Sequence, residues 1–472
     1  MTTLDLSSFG LRHEKALSLV ANGARRGVDF VEVFLDKRSK QTLNVRNSKS
    51  DGIDQNFWIG AGVRVIHGYR VGYVHTTDVS VGGLNRAIDL AVRSVEPRSG
   101  VDRFEIAFSA VDFGKFGGKE GWHNEIPSLE EMNGALLSGC GSLAQGVNHF
   151  LSASISFLSD LQEVAVIASD GVAVRDIRLN QSIGFSLETA DGARRSAQSE
   201  RVASSGNPRF LEQTFANAEP LLDALKVSSG HMLYADAAPS GQFPVVLAPG
   251  SGGVILHEAC GHLLESYSVR RGVSPFATRL NEQVAPDAVS AVDEGSTANA
   301  FGSLEIDDEG MPTQTTDLIR NGKLVGFLSD RVGEIRAGIK RTGSARRQDF
   351  RFLPTARMRN TYLRPGPHSA EEILASVDHG VYCKRLGGGS VDSTGDFNFG
   401  VKEAWEIKSG KLTRPLKGAI LIGSGPEILQ RISMVAGDRR LSPGFCGAIS
   451  GRVYVTHGLP TTKVDSLTIG GR

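Results

Sequence analysis

Two periodicities alternate along the first part of the chain. Residues 14–27 space their apolar positions as a helix does, and VDFVEVFLD (28–36) then alternates as a strand does. GAGVRVIHGYRVGYVHTT (60–77) continues as strands punctuated by glycine, and residues 80–95 return to helical spacing. The pattern predicts an N-terminal α/β domain over residues 1–105.

A second α/β domain is predicted over residues 106–228. The glycine-, proline- and charge-rich segment 96–127 is interpreted as the connection that leads into it. A helix over residues 128–145 would begin at Ser128, with Glu131 three residues later completing a capping box. Strands separated by the turn sequences SDG and ADG follow that helix.

The chain changes character after a helix expected near residues 208–226. The following segment, KVSSGHMLYADAAPSGQF (226–243), is interpreted as a linker. Short strands with glycine turns then dominate, as in RNGKLVGFL and GRVYVTHG, and one helix carries the sequence HEACGH. We therefore predict a β-rich C-terminal domain, a barrel or a sandwich, over residues 240–472, which carries that helix, and an α+β fold for the whole chain.

Composition and charge narrow the class of protein. Lys+Arg and Asp+Glu both total 52, so no basic excess indicates binding to nucleic acid or to a membrane surface. No run of about 18 apolar residues predicts a transmembrane helix, and no secretory signal is recognisable. The four cysteines are too dispersed for a disulfide framework. We expect a cytoplasmic protein of several domains, because 472 residues exceed the size of a single core.

Residues 257–262, HEACGH, hold the candidate chemistry. They depart from the zinc-protease motif H-E-x-x-H by one extra residue between the histidines. Positions i and i+4 stand about 40° apart around an α-helix, whereas i and i+5 stand about 140° apart. Both rings could reach one ion only through a local π-helical turn, which brings the two positions back to one face. Gly261 would ease such a distortion.

Glu258 favours a metal site over a chance pair of histidines. It lies in the apolar run GGVILHEACGHLL, where a charged side chain is avoided unless it is paired. Zinc takes histidine, cysteine and carboxylate ligands, and a catalytic site leaves one position for water. Spacing alone leaves the third ligand open among several candidates, which are Cys446, Glu265, Cys260, Cys383 and His457.

Three further groups of residues have two interpretations each. For Asp307–Gly310 (DDEG), the first interpretation is a solvated turn and the second is a contact near the metal. Arg357 and Arg359 could hold a substrate carboxylate or serve the structure alone. Glu265 could bind the metal itself or orient a ligand from behind it.

HEACGH followed by LLES resembles the HEAxGHxxE motif of the TldD/PmbA family of metalloproteases, on the TldD side. The resemblance extends to SLEIDDEGMPTQTTDLIRNGKLVGFLSDR, FLPTARMRNTYLRPG, the long glycine-rich stretch that begins GGGSVDSTGDFNFG, and SPGFCGAISG. The N-terminal strand sequences also fit, so the resemblance covers nearly the whole chain. Two departures stand out: cysteine occupies the variable position 260, and Ser266–Tyr267 replaces an expected small and acidic pair.

The resemblance implies a fold, a ligand set and a reaction. The fold would be an N-terminal α/β region followed by a β-rich, barrel-like C-terminal domain that carries the metal-site helix. His257, His262 and Cys446 would bind Zn²⁺, and Glu258 would be the general base of a peptidase. The substrates would be unfolded or modified peptides. The balanced charge of the chain separately predicts no nucleic-acid or membrane partner. The family also implies a heterodimer with a paralogue that lacks the metal motif, or a homodimer. Two other functions remain: a non-catalytic partner subunit of the same architecture, and a small-molecule metal amidase.

Overall fold

The computed structural model describes residues 4–95 and 122–471. Its mixture of helices and strands confirms the predicted α+β class. The helices are α1 (His13–Ala24), α2 (Val81–Val95), α3 (Trp122–Glu125), α4 (Leu129–Ala144), α5 (Phe210–Ala216), α6 (Glu219–Leu233), α7 (Gly253–Ile255), α8 (Ser266–Arg270), α9 (Arg331–Ala337), α10 (Ala370–Ala375) and α11 (Gly425–Gln430). Within these two ranges, none has the length and apolar character needed to cross a bilayer.

The strands divide into a long N-terminal set and a shorter C-terminal set. The N-terminal strands are β1 (Phe30–Arg46), β2 (Lys49–His67), β3 (Arg70–Thr76), β4 (Phe150–Ala168), β5 (Ala173–Asp191) and β6 (Arg194–Ser205). The C-terminal strands are β7 (Asp236–Ala237), β8 (Gly241–Leu247), β9 (Ala291–Glu294), β10 (Thr315–Arg320), β11 (Lys323–Leu324), β12 (Ala345–Arg346), β13 (Thr355–Ala356), β14 (Asn360–Leu363), β15 (His379–Val391), β16 (Asp396–Lys408), β17 (Lys411–Lys417), β18 (Ile420–Ser424), β19 (Ile432–Val435), β20 (Arg440–Ala448), β21 (Gly451–Leu459) and β22 (Thr462–Gly470).

The six N-terminal strands form one antiparallel sheet in the order β3-β2-β1-β4-β5-β6. Successive side chains of β1 point to opposite faces of the sheet, and both faces are covered. Val31, Val33 and Leu35 pack in the cluster that α1 and α2 cover, whereas Phe30 and Phe34 pack against the C-terminal half of the chain. The strands come from both predicted α/β domains. The division near residue 105 stays a prediction, since that boundary lies outside the described residues.

Local predictions in the N-terminal half are mixed in accuracy. Ser128 and Glu131 form the predicted capping box at the start of α4. The predicted linker at 226–243 is wrong: α6 continues to Leu233, and β7 and β8 follow at once. Apolar spacing continues through Met232 and Leu233, both buried, which extends the helix beyond the predicted end. Most of the predicted connection, residues 96–121, lies outside the described residues.

The C-terminal half contains the predicted barrel. Strands β15-β8-β22-β18-β16 lie side by side, and β16 pairs again with β15, which closes a five-stranded ring. A second sheet has the order β11-β10-β9-β14-β21-β20, so that β20 forms one edge. The HEACGH helix packs in the apolar core shared by these two units, through residues that include Leu256, Ala259 and Leu263.

The DDEG turn is buried, so its interpretation as a solvated turn is wrong. Arg178 of the N-terminal sheet donates to Asp308 at 2.6 Å, and Arg64 of the same sheet donates to Glu309 at 2.6 Å. Arg347 of the C-terminal half donates to the carbonyl oxygen of Asp308 at 2.7 Å, so the turn is enclosed by charged partners from both halves of the chain. A buried charge is tolerated only when it is paired in this way. The turn therefore fastens the C-terminal half to the N-terminal sheet.

Asp330 sits beside this turn and provides a test of the buried charges. Its side chain caps α9 by accepting from the backbone N–H of Gly333 at 2.7 Å. Burial, aided by the charge of Glu309, raises the pKa of Asp330 from 3.8 to about 6. The folded state therefore binds this proton more tightly than the unfolded chain does. Stability falls as pH rises through this interval, by about 3 kcal/mol for this group.

Asp330→Asn keeps a capping oxygen but cannot ionise. We expect the free energy of unfolding of the variant, relative to the parent, to rise by up to about 3 kcal/mol between about pH 4 and pH 7. Urea denaturation at several pH values measures it. Asp317→Asn is a control of opposite sign at lower pH, since hydrogen bonds from Arg320 and Arg364 hold the pKa of Asp317 below 3.8 and the stability that its carboxylate adds is lost only as pH falls below about 4. A pH-independent difference for Asp330→Asn would contradict the assignment.

Candidate metal centre

The HEACGH helix contains the predicted distortion. After α7, residues Leu256–Cys260 form a π-helical turn and Gly261–Leu264 a 3₁₀ turn. The wider turn offsets the extra residue between the two histidines. The ring centroids of His257 and His262 consequently lie 5.3 Å apart, on the same side of the helix.

Two glycines let this helix lie close to its neighbours. A Cβ on Gly253 would meet the backbone of Gly458 on β21 at 2.5 Å, and a Cβ on Gly261 would meet the sulfur of Met358 at 2.0 Å. Gly261 has φ −61° and ψ −46°, which any residue adopts in a helix. Close packing therefore explains why position 261 is a glycine. The ordinary helical conformation of Gly261 does not support the expected role in easing the backbone distortion.

Cys446 reaches the two histidines from edge strand β20. Donor atoms of His257, His262 and Cys446 all lie within 4.8 Å of one another, and Cys446 Sγ is 3.1 Å from His262 Nε2. The fully buried Arg357 holds the strand from behind by donating to the carbonyl oxygen of Cys446 at 2.8 Å. The structure thus brings together the three side chains that the family resemblance implies as ligands.

Glu265 orients His262 from the opposite side of the ring. Its carboxylate lies 3.0 Å from His262 Nδ1 and also accepts from the backbone N–H of Met358 at 3.3 Å. With Nδ1 occupied in this way, Nε2 is the nitrogen that faces Cys446. Of the two interpretations of Glu265, the geometry fits the orienting partner, an arrangement common behind histidine ligands.

The charges in this cluster favour a thiolate. Burial opposes ionisation of Cys446, but the neighbouring rings of His262 and His257 hold its pKa well below the usual value. Burial likewise opposes a charged His262, but Glu265 and Cys446 hold its pKa well above the usual value. The thiolate is the form of cysteine that binds metals.

The cluster fits a zinc ion. Both ring nitrogens of His257 are buried and have no hydrogen-bond partner among the described residues, an arrangement that is costly unless another group binds them. Two imidazoles and one thiolate form a donor set that suits zinc. His257 would bind through one of these free nitrogens, with His262 Nε2 and Cys446 Sγ completing the protein ligands.

Glu258 lies beside these donors. Its side chain is 26% exposed, and Oε2 is 3.6 Å from His262 Nε2. The predicted catalytic carboxylate is therefore partly open to solvent at the same point where the three donor atoms meet.

The remaining candidates for a third ligand lie elsewhere. Cys260 points to the carbonyl of Gly425, and burial raises its pKa to about 12. Cys383 is buried in the barrel core, with a pKa raised in the same way to about 12. His457 lies next to the cluster, 6.3 Å from His257 between ring centroids, but outside the group of three. Burial and the neighbouring His257 lower the pKa of His457 to about 3.

Arg357 and Arg359 make buried contacts within the protein, which fits the structural interpretation of both. Both are fully buried; Arg357 spans Cys446 and the turn after β20, and Arg359 pairs with Asp293 at 2.6 Å. Neither guanidinium is available to a substrate. The support that Arg357 gives to strand β20 at Cys446 carries no signal in the sequence, because the two residues are 89 positions apart.

Comparison with known proteins identifies the family. Residues 240–471 match the family model described as PmbA/TldA metallopeptidase C-terminal domain, and residues 31–95 match PmbA/TldA metallopeptidase domain 1. A metalloprotease TldD homolog of Haemophilus influenzae is 33% identical over 99% of this chain and 98% of that protein. The chain belongs to the TldD/PmbA family. A zinc metalloprotease TldD homolog of Saccharolobus solfataricus is 34% identical over 49% of the chain and 52% of that protein.

Solved structures share the TldD/PmbA fold. TldE from Thermococcus kodakarensis has a TM-score of 0.77 at 17% identity, covering 97% of this chain and 100% of that one. A protein of Thermotoga maritima described as a putative modulator of a DNA gyrase has a TM-score of 0.79 at 19% identity, covering 97% and 99%. At these identities, the likeness concerns the fold alone.

Glu265→Gln tests the orienting contact. The substitution keeps the size of the side chain but removes the charge that faces His262 Nδ1. We expect the affinity for zinc to fall about 10–100-fold, as is typical when such a partner is removed. Competition with a chromophoric chelator measures it. Glu282→Gln, at a side chain 56% exposed in a surface pair with Arg279, is the control. Equal affinities in both variants would contradict this role of Glu265.

Proposed function

We propose that this protein is a zinc-dependent peptidase that hydrolyses peptide bonds in unfolded or modified peptides. The observation that supports the proposal best is the position of Glu258, whose carboxylate is 3.6 Å from His262 Nε2 and partly exposed. A carboxylate at that point can exchange protons with a molecule bound beside the metal ligands. A non-catalytic subunit would have no need for His257, Glu258, His262 and Cys446 together.

The roles of the residues follow from their contacts. His257, His262 and Cys446 hold zinc, which when bound supplies a Lewis acid and makes water nucleophilic near neutral pH. Glu258 accepts a proton from the attacking water and delivers it to the leaving amine. Glu265 keeps the ring of His262 in place through Nδ1. Arg357 keeps strand β20 in place by donating to the carbonyl oxygen of Cys446. A thiolate ligand donates more charge than a third imidazole, so turnover is modest.

The names of relatives support the same activity. The Haemophilus influenzae protein is named a metalloprotease TldD homolog, and the Saccharolobus solfataricus protein a zinc metalloprotease TldD homolog. The match to the C-terminal metallopeptidase domain spans the residues that carry the metal cluster. We carry the activity over to this chain on those residues.

Edge strand β20 supports capture of an extended peptide. The strand lies at the end of its sheet and carries Cys446 within it. An unfolded peptide can add to such an edge through main-chain hydrogen bonds, with little selection among side chains. A stably folded protein keeps most of its strands paired within its own sheets, so we expect folded substrates to be cleaved far more slowly than unfolded ones. We further propose a dimer, with a metal-lacking paralogue or with a second copy, in the cytoplasm.

The protein loaded with zinc is expected to cleave unfolded peptides, and Glu258→Ala, loaded with zinc to the same extent, is expected to be about 10²–10⁴-fold slower because it lacks the proton acceptor. A peptide panel with mass-spectrometric identification of products measures both. Full peptidase activity in the zinc-loaded variant would remove Glu258 from the mechanism.

The same panel separates the competing functions. Adding a stably folded protein tests the substrate class, since comparable cleavage of folded and unfolded chains would contradict strand addition. Adding small acyl amides tests the amidase alternative. Glu427→Ala, at a surface side chain 60% exposed, controls for the loss of a carboxylate elsewhere in the domain.

A further inference from the structure

A polar cleft of about 380 Å³ lies between the N-terminal sheet and the C-terminal half of the chain. One wall is edge strand β6 at Ser199–Arg201. The other wall is the barrel hairpin, at Arg385–Gly387 on β15 and Lys402 on β16. We call it the sheet–barrel cleft. Edge strand β20 also borders it, through Ser442 and Pro443.

The sheet–barrel cleft leads to the metal centre. His457 lines the cleft, and its ring centroid is 6.3 Å from that of His257. Val254, three residues before His257 on the same helix, also lines it. A peptide that reaches the metal cluster along β20 therefore has this cleft beside it.

The walls carry more positive than negative charge. Arg385 is already paired, with Glu403 at 2.7 Å and Glu200 at 3.5 Å. Arg201, in contrast, donates to the hydroxyl of Ser182 at 3.2 Å, and Lys402 donates to that of Ser199 at 2.8 Å. Among the described residues, neither of these two cations has a carboxylate within 4.0 Å.

Nearby positive charges destabilise the charged forms of Arg201 and Lys402, and a bound anion would offset this effect. The side chain of Lys402 is exposed at the edge of the cleft, but partial desolvation and the charge of Arg385 lower its pKa, against the attraction of Glu200. Burial, together with Arg452, lowers the pKa of Arg201. The guanidinium of Arg201 also lies over the ring of Phe445, 5.2 Å from its centroid, which fixes its position next to Cys446 on strand β20. An anion in the cleft would relieve the repulsion on both side chains.

We propose that the sheet–barrel cleft is a specificity site for a carboxylate of the peptide substrate, bound by Arg201 and Lys402. The carboxylate belongs either to the C terminus of the peptide or to an aspartate or glutamate side chain. A guanidinium fixed against an aromatic ring suits a planar carboxylate, to which it can donate two parallel hydrogen bonds. This inference rests on the proposed peptidase function and adds a preference to it.

One unfolded peptide in three forms distinguishes the sources of the carboxylate. The first form is neutral, with a C-terminal amide and glutamine at one interior position. The second has a free C-terminal carboxylate, and the third has glutamate at the interior position. Binding is measured by fluorescence anisotropy on zinc-loaded Glu258→Gln protein, and kcat/KM on protein that retains Glu258.

We expect at least one anionic peptide to bind the full chain more tightly than the neutral one. In Arg201→Gln/Lys402→Gln, its affinity and kcat/KM should fall about tenfold or more, because two charge-assisted hydrogen bonds are lost. The neutral peptide should change by less than about twofold, since it makes no such bond. The peptide that responds identifies the source of the carboxylate.

Two further variants control for folding and for general charge. Arg201→Lys keeps the cation but loses the two parallel hydrogen bonds, so it should weaken the preference less than Arg201→Gln does, with an unchanged melting temperature. Arg195→Gln removes an exposed cation from the same strand outside the cleft and should change nothing. Equal binding of all three peptides, or a double variant that keeps the preference, would overturn the proposal. Failure of the parent protein to cleave any peptide would instead contradict the peptidase function.

Discussion

The contact between Cys446 and His262 is the constraint on which the site depends. It joins residues 184 positions apart, with 3.1 Å between Sγ and Nε2. The histidine comes from a helix buried between barrel and second sheet, and the cysteine from the edge of that sheet. Neither element supplies a metal site alone. The C-terminal core, by fixing helix and strand against each other, determines whether the three donors meet.

Several features of the surrounding structure hold Cys446 and His262 in contact. The π turn places His257 and His262 on one side of the helix, and Gly253 lets that helix lie against the backbone of β21. Glu265 and Arg357, whose charged groups lie 3.9 Å apart, then hold the ring of His262 and strand β20 in place. The buried DDEG turn fastens the N-terminal sheet onto this core. That sheet supplies β6, and with it one wall of the cleft beside the metal cluster.

The fold class and the π turn could be predicted from the sequence, because each rests on local spacing, whereas the choice of a barrel over a sandwich came from the family resemblance. Apolar alternation defines the strands, and the extra residue in HEACGH requires a wider turn. The selection of Cys446 came from the family resemblance, since spacing left five candidates open. The burial of Asp307–Gly310 and the support from Arg357 depend on partners far along the chain, which a single sequence does not reveal. The sequence prediction ended α6 too early, because glycine and serine residues interrupt the apolar spacing that continues beyond them.

X-ray absorption at the zinc edge of the loaded protein tests the account most directly. The cluster predicts a first shell with two imidazole nitrogens at about 2.0–2.1 Å and one sulfur at about 2.3 Å. In Cys446→Ser the sulfur signal should disappear, while Cys260→Ser should leave it unchanged. A shell without sulfur in the parent protein, or one that keeps its sulfur in Cys446→Ser, would contradict the assignment of the metal centre.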